Sequence, residues 1–204
     1  MEPRLSATDP RRVGLWVRFA DQFLDNETRT WLPGTALAVL TAGYTLAEAR
    51  TIWRYEVTPA VWSNLGVAGA WAGWPAPWLV PRIERLRGRW PNRPGLLAGL
   101  IYRLRARSLE RSWRGITACH RLLAAAPPAQ RESLCADLTL LAEVFFAAGQ
   151  RPPRATPERR ETLAAAYREQ FLPLFGALVV TDPTTGESPA RCRERVASWF
   201  AGAD

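Results

Sequence analysis

The fold class is decided by residues 95 to 126, GLLAGLIYRLRARSLERSWRGITACHRLLAAA. Apolar residues recur at helical spacing along this stretch, and Pro127-Pro128 ends it. A second periodic segment, residues 131 to 148, has its apolar stripe at Leu134, Leu138, Leu141 and Phe145. Two such segments joined by a short connection predict an antiparallel helical hairpin.

The residues before this hairpin predict a second group of helices. The first, over residues 11 to 25, carries Leu15, Phe19 and Phe23 on one stripe. We predict two more helices over residues 61 to 72 and 78 to 87. Alternating strand patterns last no more than a few residues, so this part of the chain is also expected to be helical.

Cap signals fix several helix ends. Thr45-Leu-Ala-Glu48 is a capping box that starts a helix, and we expect Pro59 to end it. Gly43 is placed to follow the helix within residues 29 to 42. Downstream, Thr156-Pro157 and Ser188-Pro189 each predict a helix start, because a side-chain oxygen precedes a proline at the first helical position.

These patterns predict an all-α, two-lobed helical bundle without significant sheet. The first lobe, residues 1 to 90, is rich in tryptophan, and the second, residues 91 to 204, holds the hairpin and the C-terminal helices. The boundary falls at Arg89-Trp-Pro-Asn-Arg-Pro94, where proline breaks the helical pattern. We expect the second lobe to pack on the first as one unit.

Composition bounds the function. The 204 residues carry a net charge of +8, and every one of the 27 basic residues is arginine. Three cysteines without CxxC spacing argue against a disulfide framework or a zinc site. The N-terminal residues resemble no secretory signal, and four prolines interrupt the uncharged run from Val57 to Pro81. We therefore expect a cytoplasmic protein with no membrane partner.

Catalytic groups are few. His120 is the single histidine, and the adjacent Cys119 points about 100° away on the same helix, which is poor geometry for a Cys–His couple. Cys119 and Cys135 lie eight residues either side of Pro127, so a regular hairpin would bring them together as buried, inert thiols. We expect no catalytic residue, no metal ligand and no cofactor, and hence a protein that is not an enzyme.

An acidic cluster follows the first helix. Asp21, Asp25 and Glu27 lie near its C-terminus, where carboxylates are unfavourable with the helix dipole. Ion pairing with nearby arginines or contact with a basic partner would offset that cost. A divalent-cation site or an enzyme built on these oxygens is the alternative.

The positive charge concentrates between Arg82 and Arg114, where ten arginines accompany two acidic residues. Four of them fall within about 80° of arc on the long helix, and we call them the arginine stripe: Arg103, Arg107, Arg111 and Arg114. The stripe fits a nucleic-acid footprint, a docking face for an acidic protein, or a solvated face. Tyr102 and Trp113 beside it are suited to stacking on bases or to a protein hot spot.

Tryptophan concentrates in the first lobe, where seven of ten lie between Val13 and Trp78. Such density is typical of a compact core or of a recognition surface. A platform of Trp71, Trp74 and Trp78 for a ligand ring is one interpretation, and core packing is the other.

Five ordered motifs within residues 11 to 87 resemble an uncharacterised domain family of small bacterial proteins: Phe23-Leu-Asp25-Asn-Glu27, Gly43-Tyr-Thr-Leu46, Ile52…Glu56-Val-Thr-Pro59, Asn64-Leu65 and Ala70-Trp-Ala-Gly-Trp74…Trp78-Leu. The resemblance implies an all-α domain, and none of the motifs has a catalytic appearance. The family pattern has an acidic residue before the first tryptophan of the last motif. This chain has Ala70 there, so the resemblance implies that any acidic site is weakened.

A cytoplasmic α-helical bacterial protein with a charged face and no active site resembles, in type, an immunity protein that silences a cognate toxin, including toxins of type VI secretion. We therefore expect a toxin or effector protein, such as a nuclease, as partner. The contact residues would be the arginine stripe and secondarily Asp21, Asp25 and Glu27. The alternative is a nucleic-acid-binding accessory protein that uses its Arg-rich helix.

Overall fold

The computed structural model describes residues 9–24, 28–61, 74–89, 96–146, 154–173 and 188–202, with the backbone alone for 88–89, 96–108 and 170. The fold is all-α, as predicted, and these ranges contain no β-strand. The described α-helices, in chain order, are α1 (Pro10–Asp21), α2 (Leu32–Thr41), α3 (Leu46–Ile52), α4 (Thr58–Val61), α5 (Ala76–Arg89), α6 (Leu96–Ala125), α7 (Arg131–Phe146), α8 (Pro157–Ala166) and α9 (Pro189–Phe200).

The predicted cap signals are confirmed. The Thr45 backbone N–H donates to Glu48 Oε2 at 2.8 Å, and the Glu48 N–H donates to Thr45 Oγ1 at 3.2 Å, which completes the capping box. Gly43 follows α2 with φ +75°, a left-handed conformation that favours glycine. Thr156 and Ser188 each accept a backbone N–H at 3.3 Å, so they cap α8 and α9.

Pro59 does not end the helix that the capping box starts, so that prediction is wrong. A π-helical turn, Trp53–Val57, follows α3, and α4 continues the chain through Pro59. The wider π turn gives the proline ring room beside the preceding carbonyl groups. Thr58 Oγ1 also donates to the carbonyl oxygen of Trp53 at 2.8 Å, which satisfies a group that the irregular turn exposes.

The chain forms two compact units. Unit 1 comprises Met1–Asn26 and Ala38–Leu109, and unit 2 comprises Glu27–Leu37 and Glu110–Asp204. The lobe boundary predicted near residue 90 falls in residues 90–95, outside the described residues, and it stays a prediction. The helix predicted over residues 61 to 72 likewise lies outside them, except for Val61.

The core of unit 1 is aromatic and is built by α1 and the π turn after α3. Trp16, Phe19 and Trp53 are fully buried. The Phe19 ring meets the Trp53 ring edge to face at 5.3 Å between centroids, and the centroid of the Phe23 ring lies 5.2 Å from that of Trp53. Trp16 and Trp53 are therefore core residues. Of the two interpretations of the tryptophan density, a compact core is the correct one for these two residues.

Unit 2 is organised around the predicted hairpin. The end of α6 and the start of α7 are joined by Arg131, whose Nε donates to the carbonyl oxygens of Leu123 and Ala126 at 3.1 and 3.2 Å. Cys119 and Cys135 are buried together as free thiols, as predicted. A second aromatic cluster joins α7, the π turn Tyr167–Phe171 and α9, with centroid distances of 5.0 to 6.0 Å: Phe145, Phe146, Tyr167, Phe171, Trp199 and Phe200.

Candidate functional site

Unit 1 contains a buried carboxylate, Glu56, that is paired with two partly exposed arginines, and we call Arg12, Trp16, Glu56 and Arg87 the Glu56 cluster. Glu56 projects from the π turn with its side chain 10 % exposed. Arg12 Nε donates to Glu56 Oε2 at 3.0 Å, and its Nη2 forms a short contact with Oε1. Trp16 Nε1 donates to Oε2 at 2.8 Å, and Arg87 Nε lies 3.7 Å from Oε1.

The Glu56 cluster holds elements together and leaves little room for chemistry. Both carboxylate oxygens already face donors from α1 and α5, so neither is free to act as a general base. The Arg87 guanidinium lies 5.6 Å from the centroid of the Trp16 ring, which adds a cation–π contact. Glu56 is the only acidic side chain buried among the described residues, and it is fully matched by cations. We conclude that its role is structural.

The predicted acidic cluster is described at one position. Asp21, at the C-terminus of α1, is half-buried, while Asp25 and Glu27 lie outside the described residues. Burial raises the pKa of Asp21, and the nearby Arg18 and the backbone N–H of Trp74 partly oppose that rise. Asp21 is thus a partly compensated carboxylate with limited access for a partner.

Burial perturbs Cys119 and His120, the two residues considered as a nucleophile and base. Burial, followed by the adjacent Cys135, raises the pKa of Cys119 to about 12, so its thiol stays protonated at neutral pH. Burial also lowers the pKa of His120. Across the part of the chain that the structure describes, no group of three or more His, Cys, Asp or Glu residues could hold a metal ion.

The arginine stripe lies on the continuous helix α6. Arg111 is half-buried and Arg114 is exposed, while the side chains of Arg103 and Arg107 lie outside the described part. Arg114 Nε donates to the carbonyl oxygen of Glu110 at 3.4 Å, a contact within its own helix. Neither Arg111 nor Arg114 forms an ion pair with a described carboxylate.

Arg121 extends the stripe beyond Arg114, the last arginine that the sequence prediction included. The two residues are seven positions apart, so their side chains leave α6 within about 20° of each other. Arg121 is exposed and has no ion-pair partner among the described acidic groups. The heptad spacing is the signal that identifies it.

Trp113 does not belong to a stacking surface, contrary to the interpretation that placed it beside the stripe. It is only 5 % exposed and lies on the buried side of α6 with Ile116 and Leu123. The spacing explains the difference, because Trp113 lies about 100° from Arg114 around the helix. The side chain of Tyr102 lies outside the described residues.

Among the described residues of unit 1, an exposed aromatic ring lies on α5 instead. Trp78 is 42 % exposed, and its ring stacks on that of the buried Trp74 at 5.3 Å between centroids. The Arg82 guanidinium lies 5.1 Å from the centre of the Trp78 ring, and Arg82 Nε donates to the carbonyl oxygen of Ala60 at 2.6 Å. Two members of the predicted tryptophan platform are therefore paired, while Trp71 lies outside the described residues.

The fold and these surfaces define an all-α protein with a buried Glu–Arg cluster and an outward-facing row of arginines. Residues 10–119 match the model of the family described as Domain of unknown function (DUF7079). The match covers more than half of the chain, so the chain belongs to this family. It contains the whole Glu56 cluster and the arginine stripe, and it reaches beyond the segment over which the sequence motifs suggested a family.

Comparisons with curated proteins and with solved structures found no significant match. Among the helices that the structure describes, none combines the length and the apolar composition needed to cross a membrane.

Proposed function

We propose that this chain is a non-enzymatic binding protein of the bacterial cytoplasm, an immunity protein that neutralises a cognate toxin or effector, including one delivered by type VI secretion. The observation that supports it best is the row of outward arginines on α6. Arg111, Arg114 and Arg121 have surface access and no ion-pair partner among the described carboxylates.

Unpaired arginines suit an acidic protein surface. A guanidinium presents planar donors that match a carboxylate in two parallel hydrogen bonds. Arg111 and Arg114 are three positions apart on α6, so they are neighbours on the helix surface and can engage two adjacent carboxylates. A nuclease holds such carboxylates in the cleft that binds its metal, so the proposed mechanism is occlusion of that cleft or locking of the toxin's conformation.

The other expected contacts have weaker support. Arg103 and Arg107 complete the stripe by their positions on α6. Asp21, Asp25 and Glu27 remain secondary candidates, with Asp21 half-buried beside Arg18 and Trp74. An interface led by the α6 arginines requires none of these acidic residues.

The test is affinity capture with tagged protein from a nuclease-treated bacterial lysate, washed at moderate and then high salt. We expect one stoichiometric protein to survive the high-salt wash and to lose its toxicity when co-expressed with this chain. The variant Arg111→Glu/Arg114→Glu should weaken that complex by about 2 kcal/mol or more, since charge reversal leaves like charges facing each other.

Arg168→Glu is the matched control. Arg168 is exposed, and its Nε donates to the carbonyl oxygen four residues earlier at 3.2 Å, the same kind of local contact that Arg114 makes. It should leave the complex unchanged. Equal weakening by Arg168→Glu would show that net charge matters and that the α6 arginines do not, and the proposal would be abandoned.

The alternative function, nucleic-acid binding, is favoured by one observation, the surface that Trp78 forms with Arg82 and Arg85. Arg85 lies seven residues after Trp78 and is exposed, so α5 presents an aromatic ring and cations on one face. Single-stranded nucleic acids bind such combinations by stacking and by phosphate contact.

A labelled single-stranded oligonucleotide distinguishes this function from the first. If it is correct, affinity falls steeply with salt, and Trp78→Ala weakens binding by about 1 to 3 kcal/mol. Trp31→Ala is the control, because Trp31 is, at 37 %, the other exposed large hydrophobic residue in the part of the chain that the structure describes. Salt-independent binding, or equal effects of both variants, would exclude the alternative.

A further inference from the structure

An open groove lies at the turn of the hairpin in unit 2, between the last turn of α6 and the first turns of α7. Its volume is about 640 Å³, which is within the range of about 300 to 1,000 Å³ typical of binding sites. The apolar lining residues include Leu122, Ala126, Pro127 and Leu134. Leu122 and Leu134 are only half-buried, so the groove exposes apolar surface to solvent.

The groove continues the face of α6 that carries the free arginines. Ala125, which lines the groove, follows Arg121 by one helical turn and lies on the same side of the helix. The distance along the helix axis from Arg114 to Ala125 is about 17 Å, or three turns. Toward the C-terminus of α6, one face of the helix therefore presents Arg114 and Arg121 and then the apolar groove.

The acidic side chain that lines the groove already has a cationic partner. Asp137 lines the groove, but its carboxylate is ion-paired with Arg159. The C-terminus of α6 would carry the negative end of the helix dipole, and Arg131 Nε donates to two of its carbonyl oxygens, those of Leu123 and Ala126. An acidic ligand would meet two unpaired cations, Arg114 and Arg121, on its way to this groove.

We infer that the groove, with Arg114 and Arg121, is the docking site for an acidic amphipathic helix of the partner protein. The inference rests on the proposed function and names the part of the toxin that this chain holds. Apolar side chains at helical spacing enter the groove, as in other helix-in-groove complexes. Carboxylates on the flanking face of the same helix pair with the two guanidinium groups.

The experiment is selection from a displayed library of random peptides of about 16 residues, or four helical turns, against the full chain. We expect the selected sequences to be acidic and to repeat leucine or phenylalanine at three- and four-residue spacing. The best peptide is then synthesised, and its affinity is measured by fluorescence anisotropy. No enrichment above background, or enrichment of basic or aperiodic sequences, would overturn the inference.

Two pairs of variants test the two halves of the site. Leu134→Glu places a carboxylate in the groove, and Ala136→Glu adds the same charge at an exposed position of α7 that does not line it. Arg114→Glu is compared with Arg168→Glu as before. We expect Leu134→Glu and Arg114→Glu each to reduce peptide affinity roughly tenfold or more, with both controls near wild type. If Leu134→Glu leaves the peptide affinity unchanged, the groove is not the binding site.

The same variants separate this inference from the proposed function. Loss of the whole-toxin complex in Arg111→Glu/Arg114→Glu, together with no effect of Leu134→Glu on it, would keep the immunity function and refute the groove as its docking site. If neither Arg111→Glu/Arg114→Glu nor Leu134→Glu weakens the whole-toxin complex, both the arginine interface and the groove are refuted as docking sites. Circular dichroism melting of each variant confirms folding, and both glutamate substitutions on α7 replace side chains that reach solvent.

Discussion

Two groups of arginines in this molecule have opposite surroundings. Arg12 and Arg87 converge on the buried carboxylate of Glu56 in unit 1, while Arg111, Arg114 and Arg121 face outward from α6 without a described carboxylate partner. The residue type is the same, so composition alone could not separate them. The difference lies in the group that each guanidinium faces. Arg12 and Arg87 face a buried carboxylate, whereas the three arginines of α6 face no described carboxylate.

The two groups should therefore differ in what they stabilise. Removing one member of a buried ion pair leaves an uncompensated charge in a medium of low dielectric constant. Removing an exposed, unpaired arginine leaves nothing uncompensated. Arginines of the first group should govern the free energy of unfolding, and those of the second should govern affinity.

The largest expected effect is that of Glu56→Gln. Glutamine has nearly the shape of glutamate, but it carries no charge and points N–H donors at the guanidinium groups of Arg12 and Arg87. We expect the free energy of unfolding to fall by about 3 to 5 kcal/mol, measured by urea denaturation followed by circular dichroism.

Glu161→Gln is the control for that substitution, since Glu161 is exposed on α8. It should change the free energy of unfolding by less than about 0.5 kcal/mol. Equal losses in the two variants would break the comparison, because the Glu56 cluster would then contribute no more than a surface carboxylate.

Much of the fold could be predicted from local signals. The hairpin, the capping box of Thr45 and Glu48, and the left-handed Gly43 are all encoded by residues within a few positions of one another. The continuation of the helix through Pro59 was not predictable in this way. The helix continues through a π turn whose residues Trp53 and Glu56 contact residues far away in the sequence, Phe19 and Arg12.

The candidate sites were less predictable than the fold. Periodicity identified the stripe on α6, and the same periodicity shows that Trp113 lies on the buried side. The Glu56 cluster joins residues 44 positions apart, Arg12 and Glu56, so no local pattern reveals it. The groove likewise forms only where α6 and α7 meet.

Arg131 is intermediate between the two groups of arginines in the charge of its partner. Arg131 is half-buried and binds backbone carbonyl groups at the end of α6 in place of a carboxylate. We expect Arg131→Ala to lower the free energy of unfolding by about 1 to 2 kcal/mol, less than Glu56→Gln, because carbonyl acceptors carry only partial charge. Arg168→Ala, which removes an exposed contact of the same kind, should cost clearly less in the same urea titration. Equal costs would mean that burial of Arg131 contributes nothing.

Asp21 is a carboxylate whose cost of burial is only partly offset by the nearby Arg18. Because burial raises the pKa of Asp21, the native state holds this proton to higher pH than the unfolded chain does. The contribution of Asp21 to stability is therefore full below the unfolded pKa, about 4, and is lost as pH rises through the folded pKa. Asp21→Asn should raise the melting temperature at pH 7, and the gain should vanish in acid. A lower melting temperature at pH 7 would mean that attraction to Arg18 outweighs burial.

The smallest expected effect on stability is that of Arg114→Ala, and it is the most informative about function. Arg114 is exposed, and its one described contact is with a carbonyl of its own helix, so the free energy of unfolding should change by less than about 0.5 kcal/mol. The same variant should weaken the captured complex, because the guanidinium is free to bind a carboxylate of the partner. A loss of stability comparable to that of Glu56→Gln would place Arg114 with the structural arginines, and the division between the two groups would no longer hold.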